Sequence, residues 1–469
     1  MSDDRERQGI FPHVLKLGAD EEVTARAGLP LVLEAARALH LDELVQQKLR
    51  VSQRRRGFTE LEKIEALVLL AAAGGERMED IRVLSDDKGL LRLLDRRLPS
   101  PDALLDFLHQ FANEPPARRP EGEVAWVPPE SAALVALGEI HRDFVRRAAS
   151  VEATTATVDH DGTIIESHKR DALVAYEGTR GYQPLVAVWA EEDLIVADEF
   201  RDANVPGGMD PLSSVQRAFQ ALPAQVTKRF FRGDSADYYE PLLKYLVKER
   251  IGFAISADMS QGLSARCRAV PEKEWVLLDE RTRELVHVAE VEFTPGEWEK
   301  KATPLRYVGL RFTPRQTDLL AKSETRFHAV VTNRAAPADR TPATSDTLTA
   351  VELVRWHRLK AGTIEHVHRS IKDELGAGVL PSGEFAANAA WFRINALTYN
   401  ILTFLRRCAL PERFAVSRPK RLRFELFTVP GKLALHQRQL SVSVSAGELR
   451  TEELIAARQR LLAIHRGAA

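Results

Sequence analysis

Residues 154–167 read TTATVDHDGTIIES, a β-branched apolar run with carboxylates set into it, and the rest of the chain is organised around this segment. Such a run reads as a strand. Alternation of faces puts Thr155, Thr157, Asp159 and Asp161 on one side and Ala156, Val158 and His160 on the other, so two carboxylates share a face. Gly162-Thr163 follows, where the backbone can turn and leave Asp161 at the strand's exposed end. Asp161 is therefore the favoured ligand, with Asp159 a neighbour or supporting partner.

Working outward, GYQPLVAVWA and DLIVADEF are further short apolar strands, followed by a helix at PLSSVQRAFQALP, a strand at KRFFRGD, a helix at YYEPLLKYLVKER and a strand at IGFAISA. This alternation predicts an α/β core. Between Trp275 and Arg334 only strands follow one another (WVLLDE, LVHVAEVEF, LRYVGLRFT, FHAVVTN), which reads as a β-strand insertion. Helix returns over 347–372 and 382–408. Upstream, residues 29–112 read as helices joined by short turns, with a capping-box pattern at Thr59 and Glu62, a stop at Gly74-Gly75 and an N-cap at Ser100-Pro101. Five prolines within 113–131 predict a linker. The expected division is a helical N-terminal domain (1–112), the linker (113–131), the first part of the core (132–274), the insertion (275–334), the helical remainder of the core (335–410) and a basic C-terminal region (411–469).

Two more acidic residues join Asp161. Asp234 follows the strand-like KRFF and a glycine, so its carboxylate should project past the sheet edge, where open α/β sheets place ligands; the alternative is a cap on the helix that starts near Asp237. On the helix after the insertion, Glu365, His368, Arg369 and Lys372 fall at i, i+3, i+4 and i+7 and share a face that could ligate a metal through Glu365 while its cations grip phosphates. A solvated, salt-bridged face is the other reading. Carboxylates drawn from distant segments to one sheet edge suit hard divalent cations and two-metal phosphoryl transfer. His366 and His368 point to different sides of a helix with no cysteine nearby, which argues against zinc.

The 469 residues, 44% of them hydrophobic, can bury a large core. The 66 basic and 67 acidic side chains nearly cancel, so any polyanion would be met by local clusters. Two are visible: Arg54, Arg55 and Arg56 beside Arg50, which dock on phosphates or form a solvated turn, and Arg406, Arg407, Arg413, Arg418, Lys420, Arg421 and Arg423, which follow a polyanion's backbone or form a solvated surface. Cys267 and Cys408 are too few for a disulfide framework and suit a reducing compartment. No apolar run approaches the ~20 residues of a membrane span, and the charged start lacks a secretion signal; the expectation is a cytoplasmic protein without a membrane partner.

Taken together, VDHDGTIIESH, YEGTRGYQPLVAV, FRGDSADY, VTNR, the helix around Glu365, FAANAAWFRINALTYNILTFLRR and KRLRFELFTVPGKL resemble bacterial insertion-sequence transposases of the DDE type, most closely the insertion-sequence thirteen-eighty family. The resemblance implies a ribonuclease-H-like core with a β-strand insertion, and Asp161, Asp234 and Glu365 as a catalytic triad binding two Mg²⁺, with Mn²⁺ able to substitute. It implies double-stranded DNA as partner (terminal inverted repeats and target), recognised in part by the helical N-terminal domain, and a homodimer in the DNA complex. Related enzymes carry Tyr seven and Arg four residues before the glutamate and Lys seven after it. Here Lys372 matches, but the earlier positions are Arg358 and Ala361, so Arg358 or Lys360 would take over the phosphate contact. Trp298 or Trp275 in the insertion could stack on a base flipped from the DNA end, or be buried structural tryptophans. The implied activity is cut-and-paste transposition; the rivals are a metal-dependent nuclease of the same fold and a DNA-binding derivative without chemistry.

Overall fold

The computed structural model describes residues 23–51, 57–112, 119–169, 172–175, 177–295, 305–315, 324–337, 347–444 and 447–467. At its centre, β1 (Thr155–Gly162) pairs antiparallel with β2 (Leu185–Trp189), and β2 pairs antiparallel with β3 (Leu194–Glu199). On its other side β1 runs parallel to β4 (Lys228–Gly233), and β4 parallel to β5 (Gly252–Ser256). Strands β6 (Val276–Glu280), β7 (Glu284–Val291), β8 (Arg306–Pro314) and β9 (Arg326–Thr332) form an antiparallel meander whose last strand returns to pair with β5. The expected insertion is thus an extension of the same sheet, ordered β6-β7-β8-β9-β5-β4-β1-β2-β3. Every residue of β2 and β3 is buried, as expected of strands covered on both faces.

The principal helices are α1 (Pro30–Ala38), α2 (Glu60–Ala73), α3 (Pro101–His109), α4 (Ala132–Ala148), α5 (Leu212–Ala221), α6 (Glu240–Lys248), α7 (Ala350–Arg369), α8 (Phe385–Phe404) and α9 (Glu448–Gly467). Helix α7 starts at a capping box in which Thr349 accepts from the Glu352 N–H and Glu352 accepts from the Thr349 N–H. Its buried positions Leu353, Val354, Lys360, Ile364 and Val367 recur at helical spacing, and this stripe lies on the sheet. Helix α8 is buried nearly all round and occupies the molecule's interior, against α2, α3, α4 and β3. Its polar side chains are accordingly matched: Arg393 donates to Asp198 and Glu130, and Asn400 donates to the Ile195 carbonyl while accepting from the Ile195 N–H.

The N-terminal helices, expected to form an all-helical domain, do not pack only on one another. They share one continuous core with the later elements, running from Leu29 to Leu461. Helix α1 packs on α9 and α8, α2 on α8, and a two-residue strand, Val23–Thr24, pairs with Gly431–His436 of a C-terminal hairpin. Helical periodicity shows that an apolar face needs a cover; it does not show that the cover lies 400 residues downstream. Among the described residues no helix is long and apolar enough to cross a membrane.

Candidate active site

Parallel strands β1 and β4 end side by side, and each delivers a carboxylate at its carboxyl end. Asp159 and Asp161 lie on the face of β1 that α7 covers, as alternation requires, but their surroundings differ. Asp159 is fully buried and accepts from Arg232 of β4 at both oxygens, at 2.6 Å from Nε and 2.7 Å from Nη2. Arg232 also donates to the Trp356 carbonyl of α7 at 2.9 Å, so this pair clamps β1, β4 and α7 together. Asp161 is partly open. One of its oxygens accepts from the Gly162 N–H at 2.9 Å, and the other faces the Lys360 ammonium that it shares with Asp234.

Asp234 follows Gly233 at the end of β4. One oxygen caps the short 3₁₀ turn Ser235–Asp237 by accepting from the Ala236 N–H at 2.9 Å, and the other faces the Lys360 ammonium, 3.7 Å away. The turn is fixed from beneath. His160, on the opposite face of β1, lies 2.8 Å from Asp237 through Nδ1 and 3.2 Å from Ser214 of α5 through Nε2. A Cβ added at Gly233 would fall 2.4 Å from the Asp237 carboxyl oxygen, which is why glycine stands there. From α7, His357 donates its Nε2–H to the Gly233 carbonyl at 2.9 Å. Burial, offset in part by that bond and reinforced by Lys360 and Arg232, pulls its imidazole down to about 4 and keeps it neutral.

The cation between the two carboxylates comes from α7. The Lys360 ammonium lies 3.6 Å from Asp161 and 3.7 Å from Asp234. Burial pushes Asp161 up to about 6, against the pull of Lys360 and with the added repulsion of Asp234. Asp234 lies low: burial would raise it, but Lys360, the hydrogen bond with Asp161 and the Ala236 N–H together outweigh that. The pair therefore holds a proton on the Asp161 side more readily than on Asp234.

Glu365 does not join this pair. It lies exposed on α7, about a quarter turn from the sheet-facing stripe of Lys360 and Ile364. Lys372, whose ammonium donates to the Thr163 hydroxyl (3.1 Å) and the Ile164 carbonyl (3.0 Å), shares its side of the helix. Among the described residues no group of three or more His, Cys, Asp or Glu side chains is set to hold a metal ion. The chemistry of the donor set still suits a hard cation: two carboxylates at adjacent strand ends already share a positive charge. His368 is turned inward with a buried, unbonded Nε2, its imidazole pushed down to about 3 by burial and by Lys372 and Lys360.

The other expected contacts are spread more widely. Arg358 lies 3.8 Å from Asp279 of β6, and Arg369 is exposed. In the C-terminal basic cluster the arginines are paired with acids: Arg418 with Glu374, Arg406 with Asp193 and Arg407 with Glu192 from distant segments, Arg421 with Glu425 one helical turn on, and Arg413 with both Glu425 and Glu453. Arg423 donates to the carbonyls of Ala72 and Glu374. Lys420 is exposed. Trp275 is buried under the Arg311 guanidinium, 4.8 Å from its ring, and so reads as structural. Arg54, Arg55, Arg56 and Trp298 lie outside the described residues. Sequence reasoning missed Arg232 as the partner of Asp159 and the His160–Asp237–His357 support of the Asp234 turn, because each is a contact between segments with no local signature.

The model of the family described as Transposase DDE domain group 1 matches residues 14–465. The chain belongs to the DDE transposase family. No curated protein sequence matches this family member. Among solved structures, the DDE transposase-family chain is similar to the cryo-EM structure of the piggyBac transposase synaptic complex with hairpin DNA, at TM-score 0.41 and 13% identity over 94% of this chain and 80% of that one.

Proposed function

We propose that this DDE-family chain is an insertion-sequence transposase, of the thirteen-eighty type, that binds the terminal inverted repeats of its element and carries out metal-dependent cleavage and strand transfer in the cytoplasm as a homodimer on DNA. The observation that carries the reading is the meeting of Asp161 and Asp234, 73 positions apart in sequence, at the ends of adjacent parallel strands around a cation. The order β3-β2-β1-β4-β5, with the first three strands antiparallel and the last three parallel, supports a ribonuclease-H-like core.

In this reading Asp161 and Asp234 hold divalent metal, Mg²⁺ or Mn²⁺, and Glu365 completes the set from α7. The bound metal would polarise the phosphodiester and favour ionisation of the attacking hydroxyl. The chain's own groups do the positioning. Arg232 keeps Asp159 from competing as a ligand, His357 and the His160–Asp237 pair fix the turn that aims Asp234, and Lys372 ties the loop after Asp161 to the π-helical segment Ser370–Glu374 that continues α7. Arg358, Arg369, Lys420 and the exposed sides of Arg418 and Arg421 are proposed to face the DNA backbone.

The test uses a labelled DNA end bearing the inverted repeats that flank the gene, with Mg²⁺. Wild type should nick and join it, and Asp161→Asn, Asp234→Asn and Glu365→Gln should each lose on the order of a thousand-fold in rate, the scale of several kcal/mol of metal-borne stabilisation. Cleaved ends with no joined product would reassign the chain as a nuclease. Full activity of Glu365→Gln would remove that residue from the triad.

A further inference from the structure

Lys360 occupies the place of a cation. It is 8% exposed, although lysine is normally a surface residue, and a buried ammonium persists only beside paired anions. Those anions are the two carboxylates that the proposed function assigns to metal. They lie 3.6 and 3.7 Å from the ammonium, so a divalent ion seated between them would stand in contact with a second positive charge. The side chain cannot simply shift inward. Asp159, the buried carboxylate one face-repeat back on β1, already accepts from Arg232 at both oxygens and offers the ammonium no free anion, and Nε2 of His357 is engaged by the Gly233 carbonyl. The helix backbone fixes the Cα, which leaves the flexible four-carbon stem to carry the charge outward, toward the open side of Asp161 and Asp234.

We propose that Lys360 is a built-in counterion, which holds Asp161 and Asp234 together in the metal-free chain and is displaced when a divalent ion enters, so that loading the site and freeing the lysine are a single event. This rests on reading Asp161 and Asp234 as metal ligands. It goes further in giving the metal-free state its own cation, and in making metal entry the step that turns Lys360 out toward an incoming phosphate. It also accounts for a carboxylate pair that stays closed without metal, since two bare carboxylates in contact would repel.

The experiment is calorimetric titration of Mn²⁺ into the metal-free, DNA-free full-length chain at pH 7.5, comparing wild type, Asp161→Asn and Lys360→Met, with circular dichroism to verify folding. Lys360→Met should bind Mn²⁺ about ten-fold more tightly than wild type, the size of one close like-charge contact partly open to water, and Asp161→Asn should lose binding. In parallel, wild type is acetylated with an N-hydroxysuccinimide ester with and without Mn²⁺, and peptides are quantified by mass spectrometry. Lys360 should label several times faster with Mn²⁺ present, while exposed Lys420 is unchanged. Equal or weaker binding by folded Lys360→Met, or Lys360 labelling that Mn²⁺ does not raise, overturns the proposal while leaving the ligand assignment standing. If the variant does not fold, the labelling of wild type decides. Mn²⁺ binding that is absent from wild type, or indifferent to Asp161→Asn, overturns the ligand assignment itself.

Discussion

Two aspartates two positions apart on one strand have opposite duties, and they should respond oppositely to substitution. Asp159 is sealed against Arg232, so Asp159→Ala leaves a guanidinium buried and unpaired and should cost about 3–5 kcal/mol in a urea titration. Asp161 carries a burial cost that Lys360 does not fully offset, with the Asp234 charge added to it, so Asp161→Asn should leave stability unchanged or slightly raised while abolishing Mn²⁺ binding. A large destabilisation by Asp161→Asn would reverse these roles. A third carboxylate reports on pH. Burial pushes Asp202 up to about 6, outweighing the Arg119 guanidinium 3.7 Å away. An acid whose folded value exceeds its unfolded value of about 4 favours the native state fully below that value, and the contribution is lost as pH rises through about 6. Asp202→Asn should therefore match wild type at pH 4 and exceed it at pH 8 by on the order of 1–3 kcal/mol, read by denaturant midpoints at the two pH values.

Among the elements, the Gly233–Asp237 turn is the most exacting. Gly233→Ala would drive a methyl into Asp237, which must either release His160 or shift Asp234. The expected outcome is a loss of about 1–3 kcal/mol, together with weaker Mn²⁺ binding; an unaltered Mn²⁺ isotherm would show that the turn tolerates the shift. The strands around this turn were legible from sequence because each is a short apolar run closed by turn residues, and the order of strands and helices from Thr155 to Ser256 follows the reading closely. That Asp161 is the more open of the two aspartates also follows from its place next to Gly162-Thr163 at the strand's end. Less was legible wherever a side chain's partner is remote. The arginines between 406 and 423 form a basic stretch that few acids interrupt, yet besides the nearby Glu425 their partners are the remote Asp193, Glu192, Glu374 and Glu453. Glu365, Lys360 and Lys372 sit on one helix at ordinary spacings, and only the crossing of α7 over β1 and β4 shows that Lys360 reaches the carboxylates while Glu365 stays outside.

Across the whole molecule, the shared core of the N-terminal helices with α8 and α9 makes the boundary at 113–131 a poor place to divide the chain. A fragment beginning at residue 119 would expose the apolar faces of α8 and α9 that α1 and α2 cover. It should be recovered insoluble or without a cooperative thermal transition, whereas co-expression with 1–112 should restore one. A fragment that melts cooperatively alone would establish two independent bodies. The continuity of the sheet has a mechanical side as well. From β6 to β4 there are five inter-strand steps, about 24 Å at the usual strand spacing, with hydrogen bonds across every one. A helix-to-loop joint would let the outer strands swing; a pleated plank does not. The far strands are thereby held at a set distance and angle from Asp234, so that any ligand lying along them would meet the carboxylates at a spacing fixed by a ruler rather than a tether.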